Sequence, residues 1–133
     1  MDEIWKAWTR QEGSSHYCIK SIISSDQFII ILVTVHDIRR EMHVIFPMPV
    51  RAYRVAKSAL RQDVFGIIDK KSESPASWPL YQVVNSSYMY WLIEESLTMI
   101  EGLNVKHLAI VTNNFVVDIA TSVEPTIEFI SFP

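Results

Sequence analysis

The longest apolar run in the chain covers residues 28–35, Phe-Ile-Ile-Ile-Leu-Val-Thr-Val, and it restricts the possible folds more than any other segment. A membrane-spanning helix needs about 20 apolar residues, so this run is too short for one. Its isoleucines and valines are β-branched and favour a strand. Since both faces of that strand are apolar, we expect it to lie in the centre of a sheet.

Shorter patterns around this run predict further strands and two helices. The predicted strands cover residues 17–23, 28–36, 42–46, 78–84, 105–111, 115–120 and 126–130. The predicted helices cover 51–65 and a segment from Ser86 or Ser87, as N-cap, to Glu101 before Gly102. The first few residues of 51–65 could instead form a strand. We expect residues 1–8 to form a short helix or an N-terminal arm.

Together these elements predict one α+β domain, residues 1–133, with a mostly antiparallel sheet of about six strands and two or three helices packed on it. A chain of 133 residues buries enough surface for a core of its own. Its one cysteine, Cys18, has no partner for an internal disulfide. With an acidic start at Asp2 and Glu3, unlike a signal peptide, it is predicted to be cytoplasmic.

The residue types that carry most enzyme chemistry lack the spacing that this chemistry needs. The four histidines do not have the spacing of a zinc motif, and three glycines do not make a phosphate-binding loop. Glu94 and Glu95 are adjacent, so on a helix they diverge by about 100°. The sequence therefore predicts no catalytic residue, cofactor or metal. The alternative is a small enzyme with a site assembled in space around Cys18, His43 or His107.

Charge is distributed unevenly along the chain. Residues 39–71 carry eight Lys or Arg against three Asp or Glu, whereas residues 86–133 carry one Lys against six Asp or Glu. On the predicted first helix, four cations fall within an arc of about 120°; they are Arg51, Arg54, Lys57 and Arg61. Such an arc suits a phosphate backbone, but a pI of about 5.8 favours a solvated or internally paired face, with no direct binding of nucleic acid.

The predicted second helix has an apolar stripe that should face the core. The stripe comprises Met89, Leu92, Ile93, Leu97 and Ile100. With that stripe inward, Tyr90 and Glu94 point outward, and Trp91 and Glu95 lie at the flank. Aromatic side chains beside acidic ones are typical of protein interfaces.

Several short segments, taken in order, have a further significance: Glu3-Ile4-Trp5-Lys6-Ala7-Trp8, Val44-Ile45-Phe46, Ala52-Tyr53-Arg54-Val55, Asn85-Ser86-Ser87-Tyr88, Trp91, Glu94-Glu95-Ser96, His107-Leu108-Ala109-Ile110, Asp118 and Glu124-Pro125-Thr126-Ile127-Glu128. Together these segments resemble the small bacterial immunity proteins of polymorphic and contact-dependent growth inhibition toxin systems.

The resemblance implies a cytoplasmic, non-enzymatic inhibitor that covers the active site of a cognate toxin's C-terminal domain, as a monomer in a 1:1 complex. Such toxins are often nucleases with a basic cleft, which an acidic surface would match. The expected contacts are the anchors Tyr90 and Trp91 and the charges of Glu94, Glu95, Asp118, Glu124 and Glu128. A toxin with an acidic surface would instead contact the basic arc, and a dedicated chaperone or adaptor is a further alternative.

Overall fold

Two antiparallel sheets form the frame of the computed structural model, which describes residues 3–8, 16–34, 36–69 and 78–133. The first sheet has the strand order β1-β6-β7-β8-β5, and the second has the order β2-β3-β4-β9. The strands are β1 Ile4–Ala7, β2 Tyr17–Ser24, β3 Phe28–Thr34, β4 Arg40–Phe46, β5 Ala52–Lys57, β6 Leu80–Val84, β7 Lys106–Val111, β8 Phe115–Thr121 and β9 Thr126–Ser131.

Two α-helices and two short 3-10 helices complete the described part of the chain. The α-helices are α1 Gln62–Asp69 and α2 Ser87–Glu95. The 3-10 helices are Ser58–Leu60, which precedes α1, and Met99–Leu103, which follows α2. Among the helices of the described segments, none has the length and apolar character that a membrane crossing requires.

The first sheet is covered on both faces. On one face its side chains pack against the second sheet in a core that includes Phe28, Ile30 and Ile119. On the other face a second core joins Trp5 and Tyr81 to residues of α1. Strands β7 and β8 are therefore buried almost throughout, which explains their nearly continuous apolar sequences.

The α+β class is confirmed, and the number of sheets differs from the expectation. Strands predicted from periodicity are present with small shifts at their ends, and the run from residue 28 lies between β2 and β4 as expected. The described residues form nine strands in two sheets where we expected about six in one. The predicted helix or arm at residues 1–8 is wrong for Ile4–Ala7, which forms β1 against β6; residues 1 and 2 lie outside the described part.

The predicted helix over residues 51–65 is wrong for its first half, which is strand β5, as the alternative for its first residues allowed. Its second half contains a 3-10 helix and the start of α1. There Tyr53 lies on Phe28, with ring centroids 4.7 Å apart, and Arg54 lies opposite Asp118 of β8. These long-range contacts outweigh the helical spacing of the apolar residues. The four cations therefore do not share a helix face.

Candidate functional site

A buried carboxylate lies at the centre of the candidate site. Asp118 belongs to β8, and its side chain is fully buried on the face of the first sheet that carries the helices. Arg54 of β5 lies directly opposite Asp118 in the sheet. A charge in this position requires paired partners, because an isolated buried ion is very costly.

Both carboxylate oxygens of Asp118 are hydrogen-bonded. Oδ2 accepts bonds from Nε of Arg54 at 2.7 Å and from Nη1 of Arg61 at 2.5 Å. Oδ1 lies 2.7 Å from Nε2 of His107. Burial by itself would raise the pKa of Asp118, but the bonds to His107, Arg54 and Arg61 outweigh it and hold the pKa well below the ordinary value.

The chain of hydrogen bonds continues from His107 to the start of α2. Nδ1 of His107 lies 2.6 Å from Oγ of Ser86, and this Oγ accepts the backbone N–H of Met89 at 3.0 Å. All these contacts are satisfied when the imidazole carries its proton on Nε2 and the Ser86 hydroxyl donates to Nδ1. Ser86 is therefore both the N-cap of α2 and a link to the buried ion pairs.

Aromatic and acidic side chains fix the first turn of α2 from both sides. The guanidinium of Arg54 stacks on the ring of Tyr88, 4.3 Å from its centroid, and the His107 ring meets the same tyrosine at 5.3 Å. A carboxylate oxygen of Glu3 accepts from the backbone N–H of Ser87 at 2.8 Å, at the positive end of the helix. Burial raises the pKa of Tyr88, more than the neighbouring Arg54 lowers it.

An open pocket of about 310 Å³ lies beside this turn. Its lining includes Ser86, Met89, Tyr90, Lys106 and His107. The serine and the imidazole are thus at the edge of the pocket, while the Asp118 end of the network lies beneath the helices.

A Ser–His–Asp chain is also the arrangement that activates a hydrolase nucleophile. Here the serine accepts a helix N–H and is 5% exposed, and the aspartate neutralises two arginines. These contacts give the network a structural task, which is to hold α2 against β7 and β8.

Two sequence expectations about these residues need correction. Asp118 was expected to supply surface charge, but it is 0% exposed and so cannot contact a partner. In the basic arc, Arg54 and Arg61 are paired with the buried Asp118, and Arg54 is also partly exposed. Arg51 and Lys57 are exposed. The arc is therefore not a continuous surface for phosphates.

The sequence contains one signal for this network, although the network was not predicted. Asp118 interrupts an apolar run in a strand that the residues on both sides predict to be buried, and a charge there points to an ionic partner. The sequence does not indicate that Arg54, Arg61 and Ser86 are its neighbours, because helical spacing in residues 51–65 obscures strand β5 and because the contacts span up to 64 residues.

The exposed face of α2 is where the predicted anchors lie. We call Tyr90, Trp91, Glu94 and Glu95 the α2 surface. Tyr90 is 55% exposed and Trp91 is 53% exposed, and both glutamates are exposed. The Trp91 ring stacks on Tyr88, with centroids 6.2 Å apart, so the network supports the α2 surface from below.

Glu124 and Glu128 are exposed but are not part of this surface. Glu124 lies 3.6 Å from Lys106 at the end of the first sheet. Glu128 is on β9 opposite His43, on the outer face of the second sheet, whereas α2 lies on the outer face of the first. The structure therefore separates the predicted acidic contacts into at least two regions.

The other residues considered for chemistry are also separated. His43 lies 2.8 Å from Glu41, which also binds Lys20, and Cys18 is half-buried on β2. In the described ranges, no group of three or more His, Cys, Asp or Glu is arranged to hold a metal ion.

No protein-family model matches the chain, and neither does any curated protein or solved structure.

Proposed function

We propose that this chain is a non-enzymatic immunity protein that binds the C-terminal toxin domain of a cognate toxin and covers its active site. It acts in the cytoplasm, as a monomer in a 1:1 complex. The toxin domain has a basic cleft, as nucleases do. The observation that carries the proposal is the α2 surface, where two exposed aromatic rings lie beside two exposed carboxylates.

Three properties of the α2 surface support binding to a protein. Tyr and Trp are the side chains most often found at the energetic centre of an interface. From residue 85 to residue 105 the chain has Glu94, Glu95 and Glu101 and no Lys or Arg, which favours a basic partner. The buried network fixes the first turn of the helix, so little conformational entropy is lost on binding.

The first experiment is to express the tagged chain in its native host, purify it and identify bound proteins by mass spectrometry. We expect one stoichiometric partner that carries a toxic C-terminal domain. That domain, produced alone, should stop growth, and co-expression of this chain should restore it. If the purified chain neither binds nor protects against any such domain, the proposed function is wrong.

Reversing the charge of the α2 surface should slow association with the toxin domain. For the double variant Glu94→Lys, Glu95→Lys we expect about a tenfold lower association rate at low salt, because attraction becomes repulsion. Added salt should reduce the difference. Stopped-flow mixing measures the rate.

The single variant Glu95→Lys is compared with Asp26→Lys, a charge reversal in the exposed β2–β3 turn, which should leave the rate unchanged. Equal rates and affinities for all variants would show that α2 is not the contact.

One observation favours the enzyme alternative, namely the Ser86–His107–Asp118 chain at the edge of the pocket. Its chemistry would be nucleophilic attack by Ser86 on an ester or amide.

The variant Ser86→Ala separates the two functions. If Ser86 is a helix cap, its loss should cost about 1 kcal/mol of unfolding free energy, and binding and growth protection should persist. Chemical denaturation and the protection assay measure the two effects. Ser122→Ala, the same truncation at an exposed residue between β8 and β9, is the control. Loss of protection in Ser86→Ala alone, at unchanged stability and toxin affinity, would favour the enzyme.

A further inference from the structure

The helix α2 ends in a backbone conformation that normally requires glycine. After the C-cap Ser96, Leu97 has a φ of 53° and Thr98 a φ of 67°. The N–H of Thr98 donates to the carbonyl of Ile93 at 2.8 Å, and the N–H of Leu97 donates to that of Glu94 at 3.1 Å. This is the Schellman arrangement, whose left-handed position is usually glycine. Here it is leucine.

Leucine and threonine are both strained there. A side chain in the left-handed region meets its own backbone, which is unfavourable for any L-residue and worst for a β-branched one such as Thr98. Of the four non-glycine residues with positive φ in the described ranges, two are asparagines, which tolerate it, and two are Leu97 and Thr98. Strain of this kind tends to mark functional sites.

The strained turn also exposes large apolar side chains to water. The side chain of Leu97 is 88% exposed, and that of Met99 is 72% exposed. Leu97 was expected in the inward stripe of a longer helix. That expectation is wrong, because α2 ends at Glu95 and the left-handed turn directs Leu97 outward. Neither the strain nor the exposure is compensated by packing within the described part of the chain.

The charges around the turn indicate what covers it. Glu94, Glu95 and Glu101 flank Leu97 and Met99 along the chain. The complementary surface is an apolar socket with a basic rim, since such a rim pairs with carboxylates that surround an apolar contact.

We propose that Leu97 and Met99 form the apolar anchor that inserts into a socket with a basic rim on the partner protein, and that the strained turn is retained because it presents them. This inference rests on the proposed function and specifies its central contact. It places the energetic centre of the interface beyond the helix, with Tyr90 and Trp91 beside it.

The test is a substitution that should raise the stability of the fold and lower the affinity for the partner. Leu97→Gly relieves the left-handed strain and removes the anchor. We expect its melting temperature to rise by about 3 °C and its affinity for the purified toxin domain to fall at least tenfold. Met99→Ser should lower affinity similarly with little change in melting temperature. Ile38→Ser, which removes an equally exposed side chain (76%) from the β3–β4 turn, should change neither quantity.

The outcomes distinguish this inference from the proposed function. If the unmodified chain binds the toxin domain and Leu97→Gly and Met99→Ser bind it equally well, the anchor is wrong and the function stands. If the unmodified chain binds no toxin domain, both are wrong. If it forms a dimer that Leu97→Gly dissociates in sedimentation measurements, the turn joins two copies of this chain, which also overturns the anchor.

Discussion

Asp118→Asn is expected to lower the free energy of unfolding by about 3 kcal/mol, because it removes the buried negative charge that faces Arg54 and that accepts the hydrogen bond of His107, and it leaves the arginine partly uncompensated. Arg61 also loses its shortest ionic contact. Urea-induced unfolding followed by circular dichroism measures the loss. Asparagine has nearly the same shape, so packing changes little and the effect reports the charge.

Asp63→Asn is the matched control. Asp63 also pairs with Arg61, at 3.5 Å, but its side chain is 63% exposed. An exposed pair contributes at most about 1 kcal/mol, so the same chemical change should have a small effect there. Similar losses of unfolding free energy in the two variants would mean that the burial of Asp118 does not determine its contribution to stability.

The pH dependence gives a second measure of the same group. The pKa of Asp118 is lower in the folded chain than its ordinary value of 3.8. The stability that its charge contributes is therefore fully present above about pH 4 and is lost as the pH falls below that value. The difference in unfolding free energy between the unmodified chain and Asp118→Asn should narrow under acid conditions.

Trp5→Ala is expected to lower the free energy of unfolding by about 3–5 kcal/mol. The Trp5 side chain is 2% exposed and lies edge-on to His107, with centroids 5.9 Å apart, and near Tyr81 at 6.3 Å. Its removal leaves a cavity beneath α1 and loosens β1, which carries Glu3 to the start of α2. Thermal and urea-induced unfolding measure the loss.

Trp91→Ala is the control for this substitution. Trp91 is 53% exposed, so its loss should cost about 2 kcal/mol, less than the loss of Trp5, while affinity for the proposed toxin domain should decrease. An equal loss of stability in both variants would show that Trp91 belongs to the core and not to an interface.

Local patterns in the sequence predicted most strands because each strand has its own apolar period. Strand β3 has β-branched residues on both faces, and Asn113-Asn114 between β7 and β8 permits the tight turn between two buried runs. The turn at Leu97 was not predictable in this way, since neither Leu97 nor Thr98 favours a positive φ.

The candidate site was predictable only in part. Tyr90, Trp91, Glu94 and Glu95 are adjacent on one helix, so periodicity alone placed them at the surface. The Asp118 network joins β5, the start of α1, the start of α2, β7 and β8, and no local pattern specifies which of these strands are neighbours. The division into two sheets was not predictable for the same reason. The chain leaves the first sheet after β1, returns to it at β5 and enters the second sheet again at β9.

The position of β1 determines how early the first sheet can be completed during synthesis of the chain. β1 pairs with β6, which lies more than 70 residues later, and β5 pairs with β8. Such non-local pairings form slowly, because the entropy of closing a long loop is lost before the stabilising contacts form. The hydrogen bonds that position α2 also require Asp118 of β8, which follows α2 in the chain. A nascent chain in which β8 has not yet been made therefore lacks contacts that order α2.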